Sequence, residues 1–333
     1  MRFVGTICGV LAVLTTSATA FSSPLTLMSE YNLIVFNNLT TDSEVEGKAM
    51  IMGDLNGPAS NYAIHLDSAQ GGELGLVVGG DINSQNINVN QGYSVALGGD
   101  ANGNINLNGG GSLLRDVTDF DFADIQQQLS DFSVSLSELE SNSNLIAPTV
   151  CCGPASLLIG ADDIAVFNID GESLFSNSFI QQFDVDFGGF DPAAIVINVA
   201  GTDISDAALA GNAVGQLVND NVRERIVWNF FEAETISLNK LLNGSLLAPY
   251  AHLTNSTPIE GSVVVSSFQQ NGEIHLPTFS GEVTFDQEVP FTPINEPGTG
   301  SVLLFAGLIL LARRVWRSPW ITPLGRSSQP SFA

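Results

Sequence analysis

The chain has 333 residues, 35 of them acidic and 10 basic, for a net charge of −25. Such a surface repels nucleic-acid phosphates and anionic lipid headgroups, so no nucleic-acid partner is expected. A hydrophobic content of 44% supports a core, and 33 glycines among many Asn, Asp and Ser point to an all-β chain rich in turns.

Residues 1–20 read as a signal peptide. Arg2 supplies the positive start, Phe3 to Leu14 form a short apolar run, and Ala18-Thr19-Ala20 is a small-x-small cleavage site. Signal peptidase is therefore an expected partner, cutting between Ala20 and Phe21. No acidic residue lies before position 21 or after 297, and between them sit all 35 acids with five bases (Lys48, Arg115, Arg223, Arg225, Lys240), a balance of −30.

Asn32 to Phe36 is the first strand expected, and Val45 to Asp54 the next. A weak repeat follows, in which Leu74-Gly75-Leu76-Val77-Val78-Gly79-Gly80-Asp81 matches Tyr93-Ser94-Val95-Ala96-Leu97-Gly98-Gly99-Asp100, with Met50 to Asp54 a shorter copy. Strand, glycine turn and return at this spacing is what stacked solenoid coils produce. Asn86, Asn88, Asn104 and Asn106 alternate with Ile87, Val89, Ile105 and Leu107, which sets a polar face against an apolar one. Asp54, Asp81 and Asp100 admit two readings: calcium ligands, or acidic turn residues present for backbone reasons. No cofactor is otherwise expected.

One helix interrupts the strands, from about Phe120 to Leu139. Phe122, Ile125, Leu129, Phe132, Leu136 and Leu139 recur at helical spacing and predict a face packed on the solenoid. The adjacent Cys151-Cys152 pair admits a vicinal disulfide, two small thiols or a bridge to another chain. His65, His252 and His275 are far apart, and no metal site is expected. Strands resume at Ser156 to Ile159, Ile164 to Ile169 and Ala194 to Val199, and Asn221 to Glu224 reads as a turn.

From Arg225 to Gly281, short β-rich runs (Ile226 to Trp228, Thr235 to Leu238, Ser262 to Ser267) alternate with turns at Asn243-Gly244, Glu260-Gly261 and Asn271-Gly272. In this stretch Trp228-Asn229-Phe230, Gly244-Ser245-Leu246-Leu247-Ala248-Pro249, Gly261, Gly272-Glu273-Ile274-His275, Phe279 and Gly281 resemble the closing segment of the choice-of-anchor A domain. Asp42 to Gly47 and Ile197 to Gly201 also resemble segments of that family, as does a helix inserted after the first coils. The resemblance implies a bacterial surface adhesin with a β-helical, ice-binding-protein-like fold.

The composition changes at Glu296. Glu296-Pro297-Gly298 is followed by an apolar span to Ala312 and then by Arg313-Arg314. A short motif, an apolar span and a basic stop, with the basic cluster left in the cytoplasm, resembles a PEP-CTERM tail that an exosortase would recognise. Asn295 stands where the first proline of that motif would be, and a plain membrane anchor is the alternative.

The expected fold is thus an irregular β-solenoid (β-helix) with one long amphipathic helix packed alongside and a C-terminal membrane helix. The expected segments are the leader over 1–20, the solenoid domain over 21–290, a linker and sorting motif over 291–297, a transmembrane segment over 298–316 and a cytoplasmic tail over 317–333. Familiar nucleophile, zinc, phosphate and dinucleotide motifs are absent, so no catalytic residue is assigned. The leading expectation is an exported, non-catalytic adhesive or matrix protein of the cell envelope or surface, held by its C-terminal segment and binding a polysaccharide or protein. The alternatives are a β-helix polysaccharide lyase or hydrolase, in which Glu273 and His275 on one strand face form an acid–base pair, and an ice-binding protein, for which the chain lacks a Thr-x-Thr ladder.

Overall fold

The computed structural model describes residues 23–209 and 211–285. The chain divides into a unit ending at Val283 and a second beginning at Thr284. The leader, the cleavage pair Ala20 and Phe21, the sorting residues Glu296, Pro297, Arg313 and Arg314, and the predicted membrane helix lie outside the described residues. No helix among the described residues is long and apolar enough to cross a membrane.

The first unit is mostly β, built from parallel strands stacked in the manner of a solenoid. Its largest sheet runs in the order Leu113–Leu114, Ser94–Leu97, Leu74–Val78, Lys48–Ile51, Tyr31–Val35, Val263–Gln270, Ser245–Asn255, Ile226–Asn229, Ala194–Ala200, Ile164–Asp170. The chain therefore starts in the middle of the stack. Residues 31–114 add coils in one direction. The chain then crosses to the far end and returns, until Val263–Gln270 seals onto Tyr31–Val35 in the register Leu33↔Val263, Ile34↔Val264, Val35↔Val265. Local spacing predicts coils but carries no information about this split order.

Alternation explains the core. One register row, Val95, Leu76, Ala49, Leu33, Val263, Leu246, Trp228, Ile197 and Phe167, runs inside the solenoid and is fully buried. The next row along the same strands is Ala96, Val77, Met50, Ile34, Val264 and Leu247, facing outward yet also buried. Strands apolar on both faces need cover on both, as parallel sheets do. Two helices supply it, α1 (Pro24–Glu30) and α2 (Phe122–Ser137), which touch each other and the sheet. Ser23 caps α1 with Pro24 at its first position, and Asp121 caps α2 by accepting from the Asp124 N–H at 3.1 Å. Leu129, Phe132 and Leu136 on α2 are buried as the spacing predicts, each contributing about 1.5–3 kcal/mol by burial.

Beyond Leu247 the outward row turns polar: Asn229, Asn198 and Asn168 are register partners. Asn229 Nδ2 donates to Asn198 Oδ1 at 2.8 Å and Asn198 Nδ2 to Asn168 Oδ1 at 2.9 Å. The same amides reach α2 and its exit, donating to the carbonyls of Ser133 (2.8 Å), Leu136 (2.7 Å) and Leu139 (3.1 Å). Three carbonyls spaced by three residues meet three amides stacked across strands, which fixes where the helix lies.

Some boundaries differ from those expected. The stretch from Val45 to Asp54 holds two strands, Glu44–Val45 and Lys48–Ile51, because the chain turns a corner at Gly47, where a Cβ would press on the Asn32 side chain. Asn221 to Arg223 belong to a one-turn helix, α3 (Asp220–Arg223), and the expected turn is confined to Glu224 and Arg225 after it. The longest strand, Ser245–Asn255, runs through Pro249; its register with Val263–Gln270 shifts between Ala248 and His252, an irregularity that accommodates a residue without an N–H. Of the three states open to Cys151 and Cys152, the vicinal disulfide is the one found, across a cis peptide.

Candidate functional site

A second sheet forms another wall of the solenoid, in the order Asn104–Leu107, Asn86–Val89, Ala59–Tyr62, Glu44–Val45, Ile274–His275, Ile259–Glu260, Leu242–Asn243. Ile87 and Val89 point into the core, so the asparagines between them point out. Glu44, Asn61, Asn88 and Asn106 are register partners. Each asparagine donates to the neighbour before it: Asn61 to Glu44 at 2.7 Å, Asn88 to Asn61 at 2.7 Å, Asn106 to Asn88 at 3.0 Å. A neighbouring row adds Asn108 to Asn90 at 3.0 Å; a separate row outside the strands of this sheet joins Asn102 to Asn83 at 2.8 Å and Asn83 to Asn56 at 3.1 Å. A primary amide has two N–H groups and two lone pairs. Asn106 spends both N–H groups, on Asn88 and on Asn86 at 2.8 Å, whereas Asn61 and Asn88 each keep one beyond the stacking bonds, on rows about 4.8 Å apart across strands and about 6.7 Å along them.

The aspartates of the repeat have a different role. The Asp54 N–H donates to Asn38 Oδ1 at 2.9 Å, the Asp81 N–H to Asp54 Oδ1 at 2.8 Å and the Asp100 N–H to Asp81 Oδ1 at 2.8 Å. Each side chain ties down the next coil, and the preceding glycine is required there: a Cβ on Gly80 or Gly99 would overlap the carboxylate below it. These bonds account for Asp54 and Asp81 as turn residues. No group of three metal-ligating side chains is assembled among the described residues.

The centre of the sheet carries titratable groups. Glu273 and His275 share a face as alternation requires, with Glu273 Oε2 2.6 Å from His275 Nε2. Glu260 Oε1 lies 3.1 Å from Nδ1, and Glu46 Oε1 lies 3.9 Å from Nε2. His65 and His275, distant in sequence, both approach Glu46, with His65 Nδ1 at 2.8 Å from it. Arg223 Nη1 donates to Glu260 at 2.9 Å and to Asp220 at 3.0 Å. Burial opposes charge on His275, but hydrogen bonds to Glu273 and Glu260 and the charges of Glu260 and Glu46 outweigh it, and the imidazole pKa is raised. With carboxylates on both ring nitrogens, the charged form of His275 is favoured, and in that form it staples the strands together. Glu46, Glu260 and Arg223 gave no local sequence signal, because Glu46 and Glu260 meet His275, and Arg223 meets Glu260, only through coil stacking.

A raised folded pKa means that this staple contributes its full stability below the ordinary His value of about 6.5 and loses it as pH rises through the raised value. The melting temperature of the wild type minus that of His275→Gln is expected to be positive at about pH 5.5 and to shrink towards zero above the raised pKa. A difference that stays constant with pH would mean that His275 is neutral in the fold.

No curated protein matches the chain. Two solved structures resemble it at 11% identity. A Shewanella frigidimarina ice-binding protein, DUF3494 domain, aligns over 79% of this chain and 99% of its own with a TM-score of 0.35. An ice binding protein from an Antarctic biological consortium aligns over 83% of this chain and 96% of its own with a TM-score of 0.27. The family model described as "Putative Ice-binding-like adhesive domain" matches residues 24–276, which include both halves of the coil stack, α2 and the polar sheet, and the chain belongs to that ice-binding-like adhesive family.

Proposed function

We propose that this is an exported, non-catalytic surface adhesin that grips hydroxyl-rich polymer with the asparagine face of its second sheet. The observation that carries this reading is the lattice of outward amides at Asn61, Asn88, Asn90, Asn106 and Asn108, all of which except Asn106 keep an N–H beyond their protein bonds. Regular amides can exchange hydrogen bonds with the regularly spaced hydroxyls of a polysaccharide, and the adhesive family description agrees with that use. The finer resemblance to choice-of-anchor A proteins supports a surface location. The leader directs export, with signal peptidase cutting after Ala20. The Glu296-Pro297 motif and the Arg313-Arg314 stop hold the chain at the envelope or present it to an exosortase.

The test is retention of the purified full chain on cellulose, on chitin and on cell envelopes. Retention on at least one is expected. Replacing Asn61, Asn88 and Asn106 together by alanine is expected to weaken it by roughly tenfold or more, since several hydrogen bonds of about 1 kcal/mol are lost. Wild-type retention by the triple variant would remove this face from the reading. A second reading, ice binding, is favoured by the same regular lattice and by the family description. Thermal hysteresis above the buffer blank, lost in the triple variant, would establish it. Release of reducing or unsaturated sugar ends that stops in Glu273→Gln would replace both readings with an enzyme.

A further inference from the structure

The second sheet ends at Leu242–Asn243, the opposite end from the asparagine rows. A cavity of about 230 Å³ lies there, with Phe183, Val218 and Leu241 among its apolar walls and Arg223, Lys240 and Asn243 as polar groups. Val218 and Leu241 are each 40% exposed, an apolar rim open to solvent. Asn243 is completely buried, yet neither its Nδ2 nor its Oδ1 has a partner; Arg223 Nε is also buried and unpartnered. The Asn243 backbone oxygen is already used by Trp228 Nε1 at 2.8 Å, so the unspent capacity belongs to the side chain. Arg223 is held by Asp220 and Glu260 through Nη1, while its buried Nε–H stays unspent. The Lys240 backbone N–H donates to Asp206 at 2.8 Å, while its ammonium forms no ion pair among the described residues.

Buried polar groups are almost always paired, and three unpaired atoms on two residues that line one cavity call for an occupant that reaches them as the side chains adjust. The amide requires a donor and an acceptor together, and Arg223 requires an acceptor. Vicinal hydroxyls on a sugar ring both donate and accept, and the ring's C–H face suits Phe183, Val218 and Leu241. The volume is several times the ~30 Å³ share of a water and below the ~300 Å³ at which drug-sized sites begin, which fits one ring. Two of the five bases in a strongly acidic stretch gather here, and Lys240 is the one with charge to spare.

We propose that this cavity binds a single pyranose residue and prefers one whose carboxylate reaches Lys240. The site uses none of the asparagines of the adhesive face and stands apart from that reading. Calorimetric titration of the purified full chain with glucuronate and with glucose tests it. Saturable binding of both is expected, with glucuronate about fivefold tighter, the scale of one partly exposed charge pair. Asn243→Leu should abolish both, Lys240→Gln should reduce glucuronate to the level of glucose, and the triple asparagine-to-alanine variant should bind both as wild type does. Failure of both sugars to saturate overturns the site, as does wild-type binding by Asn243→Leu. If Asn243→Leu does not fold, Asn243→Ser takes its place: it should weaken both sugars, and unchanged binding overturns the site. Equal binding of the two sugars by the wild type, or no effect of Lys240→Gln, overturns the carboxylate preference.

Discussion

Trp228→Ala is expected to destabilise the first unit by about 3–5 kcal/mol, the range for truncating a large buried aromatic. The indole is fully buried on the inward row between Ile197 and Leu246. It meets Phe175 edge-on with centroids 5.9 Å apart, and Phe183 likewise at 6.3 Å; Phe175 also packs on Phe230 at 5.6 Å. Phe183 belongs to a third sheet, whose strands are Asn144–Ile146, Gly153–Leu158, Ile180–Asp186 and Asn212–Ala213. Nε1 donates to the Asn243 carbonyl in the second sheet at 2.8 Å. One side chain thus ties all three sheets together across the core, and its removal leaves a cavity and an orphaned carbonyl at once. Trp228→Phe, which keeps most of the volume but not the donor, should cost about 1–3 kcal/mol. Urea unfolding followed by circular dichroism measures both. An alanine variant within about 1 kcal/mol of the wild type would show that the core closes around the gap.

The parts of the fold legible in sequence are those governed by neighbours along the chain. Ile87, Val89, Ile105 and Leu107 alternate with asparagines, and that period alone assigns the inside and outside of two coils. The Gly-Gly-Asp repeat is legible because each copy must pass the same side chain of the coil below. The apolar spacing from Phe122 to Leu136 identifies α2, and Glu273 and His275 share a face because two residues apart on a strand always do. What was not legible depends on which coil lies on which. The register of Tyr31–Val35 with Val263–Gln270 joins positions some 230 residues apart, and no local period encodes that choice. Glu46 and Glu260 reach His275, and Arg223 reaches Glu260, only once that seam and its neighbours have formed. The strand through Pro249 was hidden because proline ordinarily ends a strand, and here the register shift absorbs it. The amides of Asn168, Asn198 and Asn229 lie thirty residues apart in strands that otherwise read as apolar, so each looked like a stray polar residue.

Asn229→Leu is expected to cost about 2–4 kcal/mol, although leucine matches its size and the adjoining row of Leu247, Val264 and Ile34 is apolar. Asn229 is completely buried. It donates to the Ser133 carbonyl and to Asn198 Oδ1, each at 2.8 Å, and its own oxygen accepts from the Ser133 hydroxyl. Leucine would leave the Ser133 hydroxyl and the Asn198 oxygen buried without those partners, and the penalty for stranded polar groups exceeds what extra apolar burial returns. Removing both sides should recover part of the loss: Asn229→Leu with Ser133→Ala is expected to be less destabilised than the sum of the single changes, by about 0.5–3 kcal/mol. Asn168, at the exposed end of the ladder, should matter less, with Asn168→Ala costing under about 1 kcal/mol because water replaces its partners. Thermal melts of the four variants separate these cases. If the double variant is as unstable as the sum, the asparagine and the helix serine are not coupled, and α2 is held by its apolar face alone. If the coupling is found, the ladder is what selects one position for α2 along a sheet whose apolar row would accept several, and the asparagines fix the helix in register over the coils it covers.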